Sequence, residues 1–180
     1  MVLAVLASGS GTIFEAICDA SIRVDRLVTD RACRALEIAE SRGIKAIRVD
    51  RGAIGPGFDR PAYTQRVIDA LDGVDTVAMA GFMTVLSAPM FVRFHHRVLN
   101  THPSLLPSFP GAHAVPDALA YGVKVTGCTV HIATEQVDHG PILAQEAVPV
   151  LPTDDEDALH ERIKAVERRL YPATIEEFLR

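Results

Sequence analysis

The chain has 180 residues, 48% of them hydrophobic and 23% charged, with 12 Gly and 11 Pro, the profile of one globular domain able to bury a sizeable core. With 18 Lys+Arg against 23 Asp+Glu the formal charge is −5, and no basic run offers the phosphate-neutralising face that nucleic-acid binding needs. The longest apolar stretches, residues 2–7 and 74–83, fall short of the roughly 20 residues that span a bilayer, and the three cysteines (Cys18, Cys33, Cys128) form no C-x-x-C pair, which argues against a disulfide framework or thiolate zinc site.

Apolar β-branched runs alternate with stretches of helical period, the pattern of βαβ units around a mostly parallel sheet. In chain order we read strand 2–7, helix 12–20, strand 24–29, helix 33–42, strand 44–49, helix 61–71, strand 74–80, helix 88–93 and strand 97–100. Pro61 and Pro89 fall in first turns, where a missing N–H is harmless. The four crossovers predict a Rossmann-like three-layer α/β domain. Beyond Pro103 come a Pro/Gly/Ser-rich loop at 103–111, a short helix at 116–121 and strand-like runs at 125–133 and 142–150. The loop 134–141 is too short for a crossover helix, so an antiparallel strand is expected in the C-terminal part. Asp154, Asp155 and Glu156 head a last helix that runs to about Glu177, their charge suiting the positive end of its dipole. No repeat or linker interrupts the chain, and 1–180 is read as a single domain. No basic segment precedes the first strand, so no signal peptide is expected and the cytoplasm is the expected compartment.

Ser8-Gly9-Ser10-Gly11-Thr12 lies between the first strand and the first helix. Open α/β sheets bind ligands at the carboxyl ends of their strands, where glycines let backbone N–H groups approach a phosphate at a helix N-terminus. Phe14 stands where the dinucleotide fingerprint needs a third glycine, and no Lys follows Gly11 as in a P-loop. The loop reads as a phosphate cradle, although a tight turn would use the same glycines.

Asn100-Thr101-His102-Pro103 closes the fifth strand. Residues i and i+2 of an extended chain share a face, and Pro103 biases His102 away from the α region, so the Asn100 amide and the His102 ring should project together. Such a pair suits a carbonyl that becomes an oxyanion; a buried, hydrogen-bonded ring is the plainer reading of the same histidine. Asp138, in Asp138-His139-Gly140-Pro141, either caps its own turn or, if brought beside His102, holds that ring charged and oriented. His95-His96 reads as an exposed pair, and His160-Glu161 lacks the second histidine of a zincin helix, so no metal is expected. Cys128 falls at a mid-strand core position and neither Ser8 nor Ser10 lies in a G-x-S-x-G elbow, which leaves no nucleophile.

Five motifs, taken in order, carry a resemblance: Leu6-Ala7-Ser8-Gly9-Ser10-Gly11-Thr12, Ala80-Gly81-Phe82-Met83, Asn100-Thr101-His102-Pro103-Ser104-Leu105-Leu106-Pro107, Gly127-Cys128-Thr129-Val130-His131 and Val137-Asp138-His139-Gly140-Pro141-Ile142. Over almost its whole length the chain resembles the phosphoribosylglycinamide formyltransferase family (glycinamide ribonucleotide transformylases) of the folate-dependent formyltransferases. The resemblance implies catalytic roles for Asn100, His102 and Asp138. It implies that the substrate phosphate lies on Gly9, Ser10, Gly11 and Thr12 with Arg60 as an added cation, and that Glu167 holds the glycinamide end. It further implies a formylfolate ring against Met83, Thr84, Val85, Leu86 and Val98 and against the backbone from Thr134 through Val137 to Asp138. The implied reaction passes a formyl group from 10-formyltetrahydrofolate, as co-substrate, to the amine of glycinamide ribonucleotide in de novo purine biosynthesis, without a metal. Partners are then small molecules, with no nucleic acid and no membrane, and a homodimer is left open. Formyltetrahydrofolate hydrolase and methionyl-tRNA formyltransferase, of the same superfamily, normally add a domain for which 180 residues leave no room. A non-catalytic mononucleotide-binding module would use the Gly loop without needing Asn100, His102 and Asp138. Three positions depart from the family pattern: Ile13 stands where many members have an Asn phosphate donor, Thr84 where Arg or Lys is frequent, and His139 where a smaller residue is usual.

Overall fold

The structure is a computed structural model that describes residues 1–180. Its internal contacts group the chain into two compact units, Met1–Leu99 and Asn100–Arg180.

The first unit alternates strands and helices: β1 (Leu3–Ala7), α1 (Thr12–Asp19), β2 (Val24–Thr29), α2 (Arg34–Ser41), β3 (Lys45–Arg48), α3 (Arg60–Ala70), β4 (Thr76–Met79) and α4 (Ala88–Arg93). β1 pairs in parallel with both β2 and β4, and β2 with β3. Every residue of β1 is buried, as expected of a central parallel strand covered on both faces, which carries no polar alternation. α1 meets the core through Ile13, Phe14 and Ile17, a stripe at helical spacing. α3 begins where Asp59 accepts the Ala62 N–H at 2.9 Å, with Pro61 inside its first turn, an N-cap and a proline each in its favoured place.

β5 (Val98–His102) spans the boundary between the units. It runs two residues further than the sequence reading, because the residue before Pro103 is held extended. The second unit adds α5 (Ala114–Tyr121), β6 (Val125–Ile132), β7 (Ile142–Pro149) and α6 (Glu156–Leu179). β6 and β7 are antiparallel, from Val125 opposite Pro149 to His131 opposite Ile142, as the short loop between them requires. Gly127 is needed for this pairing, since an added Cβ would sit 2.2 Å from the Glu146 carbonyl oxygen. Val115, Cys128, Val148, Leu159 and Ile163 form the core of this unit. α6 starts later than the sequence suggests because Asp155 is itself the N-cap, accepting the Ala158 N–H at 2.8 Å, while Asp154 is engaged by Arg162 and the Leu151 N–H. The full strand order is β3-β2-β1-β4-β5-β6-β7: a mostly parallel α/β sheet with an antiparallel strand at its C-terminal edge, the predicted class.

Candidate active site

The Gly loop leaves the carboxyl end of β1, and its first residue is the best anchored. Ser8 donates its N–H to the Gly81 carbonyl (3.1 Å) and accepts the Met83 N–H on Oγ (2.9 Å). The Ser8 hydroxyl also bonds to Asp30, whose side chain is wholly buried just beyond β2. Asp30 takes both arms of Arg31 at 3.0 Å, the Thr84 hydroxyl at 2.6 Å, and faces Arg51 Nε at 3.4 Å. Burial pushes this carboxyl up, but the bonds from Arg31, Thr84 and Ser8 outweigh it and hold Asp30 below the usual carboxylate range. The sequence reading passed over Asp30; a charged pair, Asp30-Arg31, directly after a buried strand was the available signal. Gly11 has φ +72°, and a Cβ there would lie 2.9 Å from Ala35 Cα and from Ile38 Cδ1 of α2. Its first constraint is thus the docking of α2, not the approach of a ligand. Gly9 and Ser10 are exposed and Thr12 half-buried; a Cβ on Gly9 would meet nothing.

The segment 83–86 alternates. Met83 and Val85 are exposed, Thr84 and Leu86 are buried, and the Thr84 hydroxyl is committed to Asp30. Arg60 is placed on this segment: its Nη1 donates to the Val85 carbonyl at 3.2 Å and its guanidinium lies 6.0 Å from the centroid of the Phe58 ring. Val98 is fully buried at the start of β5.

In the second unit Asn100, His102 and Asp138 converge with a fourth residue, His131. His102 Nε2 bonds to the Phe109 carbonyl (2.8 Å) and its Nδ1 lies 3.4 Å from Asp138 Oδ2. A carbonyl can only accept, so Nε2 carries a proton, and Nδ1 is the ring nitrogen that faces the carboxylate. Asp138 Oδ2 also accepts the Gly111 N–H at 2.8 Å, while Oδ1 faces His131 Nε2 at 3.6 Å. His131 is held by its Nδ1–H on the Ile132 carbonyl (3.1 Å), and its Nε2 lies 3.2 Å from Asn100 Nδ2. Burial raises the Asp138 carboxyl, but bonding to His131, the Gly111 N–H and the charge of His102 outweigh it, so it stays below the usual range and ionised. Asp138 has φ +59°, tolerable for an Asp. Its turn needs Gly140, where a Cβ would fall 1.7 Å from the Ile132 carbonyl oxygen. Thr134 Oγ1 closes the loop on the Gln136 carbonyl at 2.9 Å, Val137 is exposed, and the His139 ring turns back to the Val137 carbonyl at 2.6 Å.

Thr101 points to the opposite side of β5. Its hydroxyl lies 3.3 Å from Cys128 Sγ and bonds to Glu167 on α6. Burial pushes the Glu167 carboxyl up, with the Thr101 bond opposing, and raises the Cys128 thiol to about 12, which leaves that thiol inert at neutral pH. Glu167 is therefore brought to Thr101. His131 is the residue that sequence reasoning missed: it shares a face of β6 with buried Thr129 in a strand buried from Thr126 to Ile132, and a buried polar residue of this kind reads as core until its partners are seen.

The formyl transferase family model matches residues 1–175. The chain is 49% identical over 178 residues to the phosphoribosylglycinamide formyltransferase of Mycobacterium tuberculosis (strain ATCC 25618 / H37Rv), covering 96% of this chain and 82% of that one. It is 36% identical over 185 residues to the Escherichia coli (strain K12) protein of the same name, covering 99% and 87%. The crystal structure of glycinamide ribonucleotide transformylase 1 from Symbiobacterium toebii superposes with a TM-score of 0.90 at 43% identity, covering 97% of this chain and 85% of that one. The chain belongs to the formyl transferase family, among its phosphoribosylglycinamide formyltransferases.

Proposed function

We propose that the chain, acting as a single domain over residues 1–180, transfers the formyl group of 10-formyltetrahydrofolate to the primary amine of glycinamide ribonucleotide, a step of purine synthesis. The observation that carries this reading is the cluster of Asn100, His102, His131 and Asp138, two buried imidazoles facing one ionised carboxylate with an amide donor on the second ring. The amine nitrogen attacks the formyl carbon directly. The carbonyl oxygen becomes an oxyanion, stabilised by the Asn100 amide and by cationic His102, whose Nε2 exchanges the Phe109 carbonyl for the substrate oxygen. Asp138 holds His102 charged and, through water, accepts the proton the amine loses. Collapse of the tetrahedral intermediate breaks the bond to N10 of the folate, which leaves as the neutral N–H amine by taking up, through water, the proton that Asp138 accepted. The protein's own work is positioning and charge stabilisation.

Gly9, Ser10, Gly11 and Thr12 are assigned to the ribonucleotide phosphate, supported by their place at the carboxyl end of β1 and the N-terminus of α1. The family resemblance assigns Arg60 as the additional cation and Glu167 to the glycinamide end; Glu167 would reach it from the Thr101 side of β5, not beside Asn100 and His102. The folate is assigned Met83 and Val85, whose side chains are exposed, backed by buried Thr84, Leu86 and Val98, together with Thr134 and Val137. The partners are these two small molecules. No helix is long and apolar enough to cross a membrane, and the cytoplasm is the proposed compartment. A formyl-transfer assay with purified protein tests the reading: tetrahydrofolate release must depend on glycinamide ribonucleotide. Formate release without the amine would mean a hydrolase, and binding of substrate without turnover a binding module.

A further inference from the structure

Arg34, the first residue of α2, has its guanidinium on the Gly loop: Nη1 donates to the Ser10 carbonyl at 3.2 Å. Its backbone is fixed there, because α2 docks on the loop through the missing Cβ of Gly11 and through the Ala35 N–H, which donates to the Gly9 carbonyl at 3.4 Å. The side chain is nevertheless 53% exposed, and its other contact is a long ion pair, Nη2 to Glu15 Oε2 at 3.8 Å, of the kind that contributes little at a surface. Other arginines of this unit are engaged differently: Arg31 and Arg51 pair with buried Asp30, Arg60 bonds to Val85 beside Phe58, and Arg26 and Arg42 pair with Asp25 and Asp19.

The loop also lacks a donor. The side chain of Ile13, directly after the loop, is apolar and buried in the core, so it offers the phosphate no hydrogen bond. A phosphate monoester carries close to two negative charges at neutral pH and accepts several hydrogen bonds, and Arg presents a rigid fork that can keep one N–H on a carbonyl while offering others to an oxygen. Building on the ribonucleotide reading above, we propose that Arg34 is a phosphate ligand of this enzyme, supplying the side-chain donor that Ile13 does not, and setting its preference for a 5′-phosphorylated substrate over the bare riboside.

The test compares wild type with Arg34→Gln and Arg34→Lys. Arg34→Gln should raise KM for glycinamide ribonucleotide about ten- to a hundred-fold, the loss expected for a charge-assisted hydrogen bond, with kcat at saturation and KM for the folate unchanged within about two-fold. The gap should narrow as ionic strength rises, and Arg34→Lys should recover part of it. Thermal midpoints should stay together, because the side chain is exposed. Calorimetry with ribose 5-phosphate reads the same contact without any formyl transfer: weaker binding by Arg34→Gln supports the assignment even if the formyl acceptor proved to be another phosphorylated amine. Equal ribose 5-phosphate binding by wild type and Arg34→Gln overturns the assignment, as does an equal loss toward phosphorylated and unphosphorylated acceptors. Absence of glycinamide ribonucleotide turnover by wild type, with the calorimetric difference intact, would instead refute the proposed reaction alone.

Discussion

Replacing Asp138 with Asn keeps the shape of the side chain and removes its charge. In the structure the carboxylate faces His102 Nδ1 at 3.4 Å and His131 Nε2 at 3.6 Å, and the Asp138 side chain is only 5% exposed. A unit charge pair at 3.4 Å interacts by about 5 kcal/mol at an effective dielectric near 20. Desolvation of the carboxylate offsets part of this, so the Asn variant should lose about 2–4 kcal/mol of support for cationic His102, or roughly 30- to 1,000-fold in kcat. The amide can still accept the Gly111 N–H through its oxygen, but its nitrogen then turns donors toward a histidine, and the ring no longer gains from holding a second proton. Activity should therefore be depressed at neutral pH and partly recovered on acidification, up to the point where the attacking amine is itself protonated. The assay is a pH–rate profile of kcat for both proteins, with the His102 ring followed by NMR. A variant that keeps more than about half of wild-type turnover, with an unshifted profile, would show that the carboxylate does not act by charging His102.

Further outcomes follow from the same geometry. His102→Ala and Asn100→Ala should each lower kcat by roughly 10²–10⁴-fold with small changes in KM, measured by steady-state kinetics. Gly9→Ala, where a Cβ meets open space, should leave the thermal midpoint unchanged and raise KM for the ribonucleotide alone; Gly11→Ala, with φ +72° and a 2.9 Å clash against α2, should lower the midpoint by several degrees. Asp30 and Asp138 both have carboxyls held below their unfolded values, so each contributes stability that is complete above pH about 4 and is lost as pH falls through its folded value. Denaturant titrations between neutral and acid pH should show that loss, and Asp30→Asn or Asp138→Asn should flatten it.

The parallel core was legible because its physics is local. A strand buried on both faces, such as Leu3–Ala7, must be apolar throughout, and a short loop such as 134–141 admits only an antiparallel return. The pairing of Asn100 with His102 was legible for the same reason, through a period of two and the restriction that Pro103 imposes. What joins distant residues was not. The contact of Asp138 with His102 crosses 35 intervening residues, and nothing in the turn Asp138-His139-Gly140 distinguishes a carboxylate that accepts the Gly111 N–H from one that caps its own backbone. His131 was illegible because β6 is buried continuously from Thr126 to Ile132, so a histidine there looks like core. Thr84 read as a missing cation, whereas the structure gives its hydroxyl to Asp30. Gly11 read as room for a phosphate, whereas its nearest neighbours are Ala35 and Ile38.

Ser8 and Thr84 both end on the one buried carboxylate of Asp30. These three positions consequently form a single unit of exchange. Placing an Arg or Lys at position 84 would put a long cation where a threonine with 1% exposure now fits. It would also take from Asp30 one of the hydrogen bonds that keep it ionised. The loss would be transmitted to Ser8, and through Ser8 to the Met83 N–H. Redesign of either loop must therefore move residues 8, 30 and 84 together, since effects measured one at a time will not add.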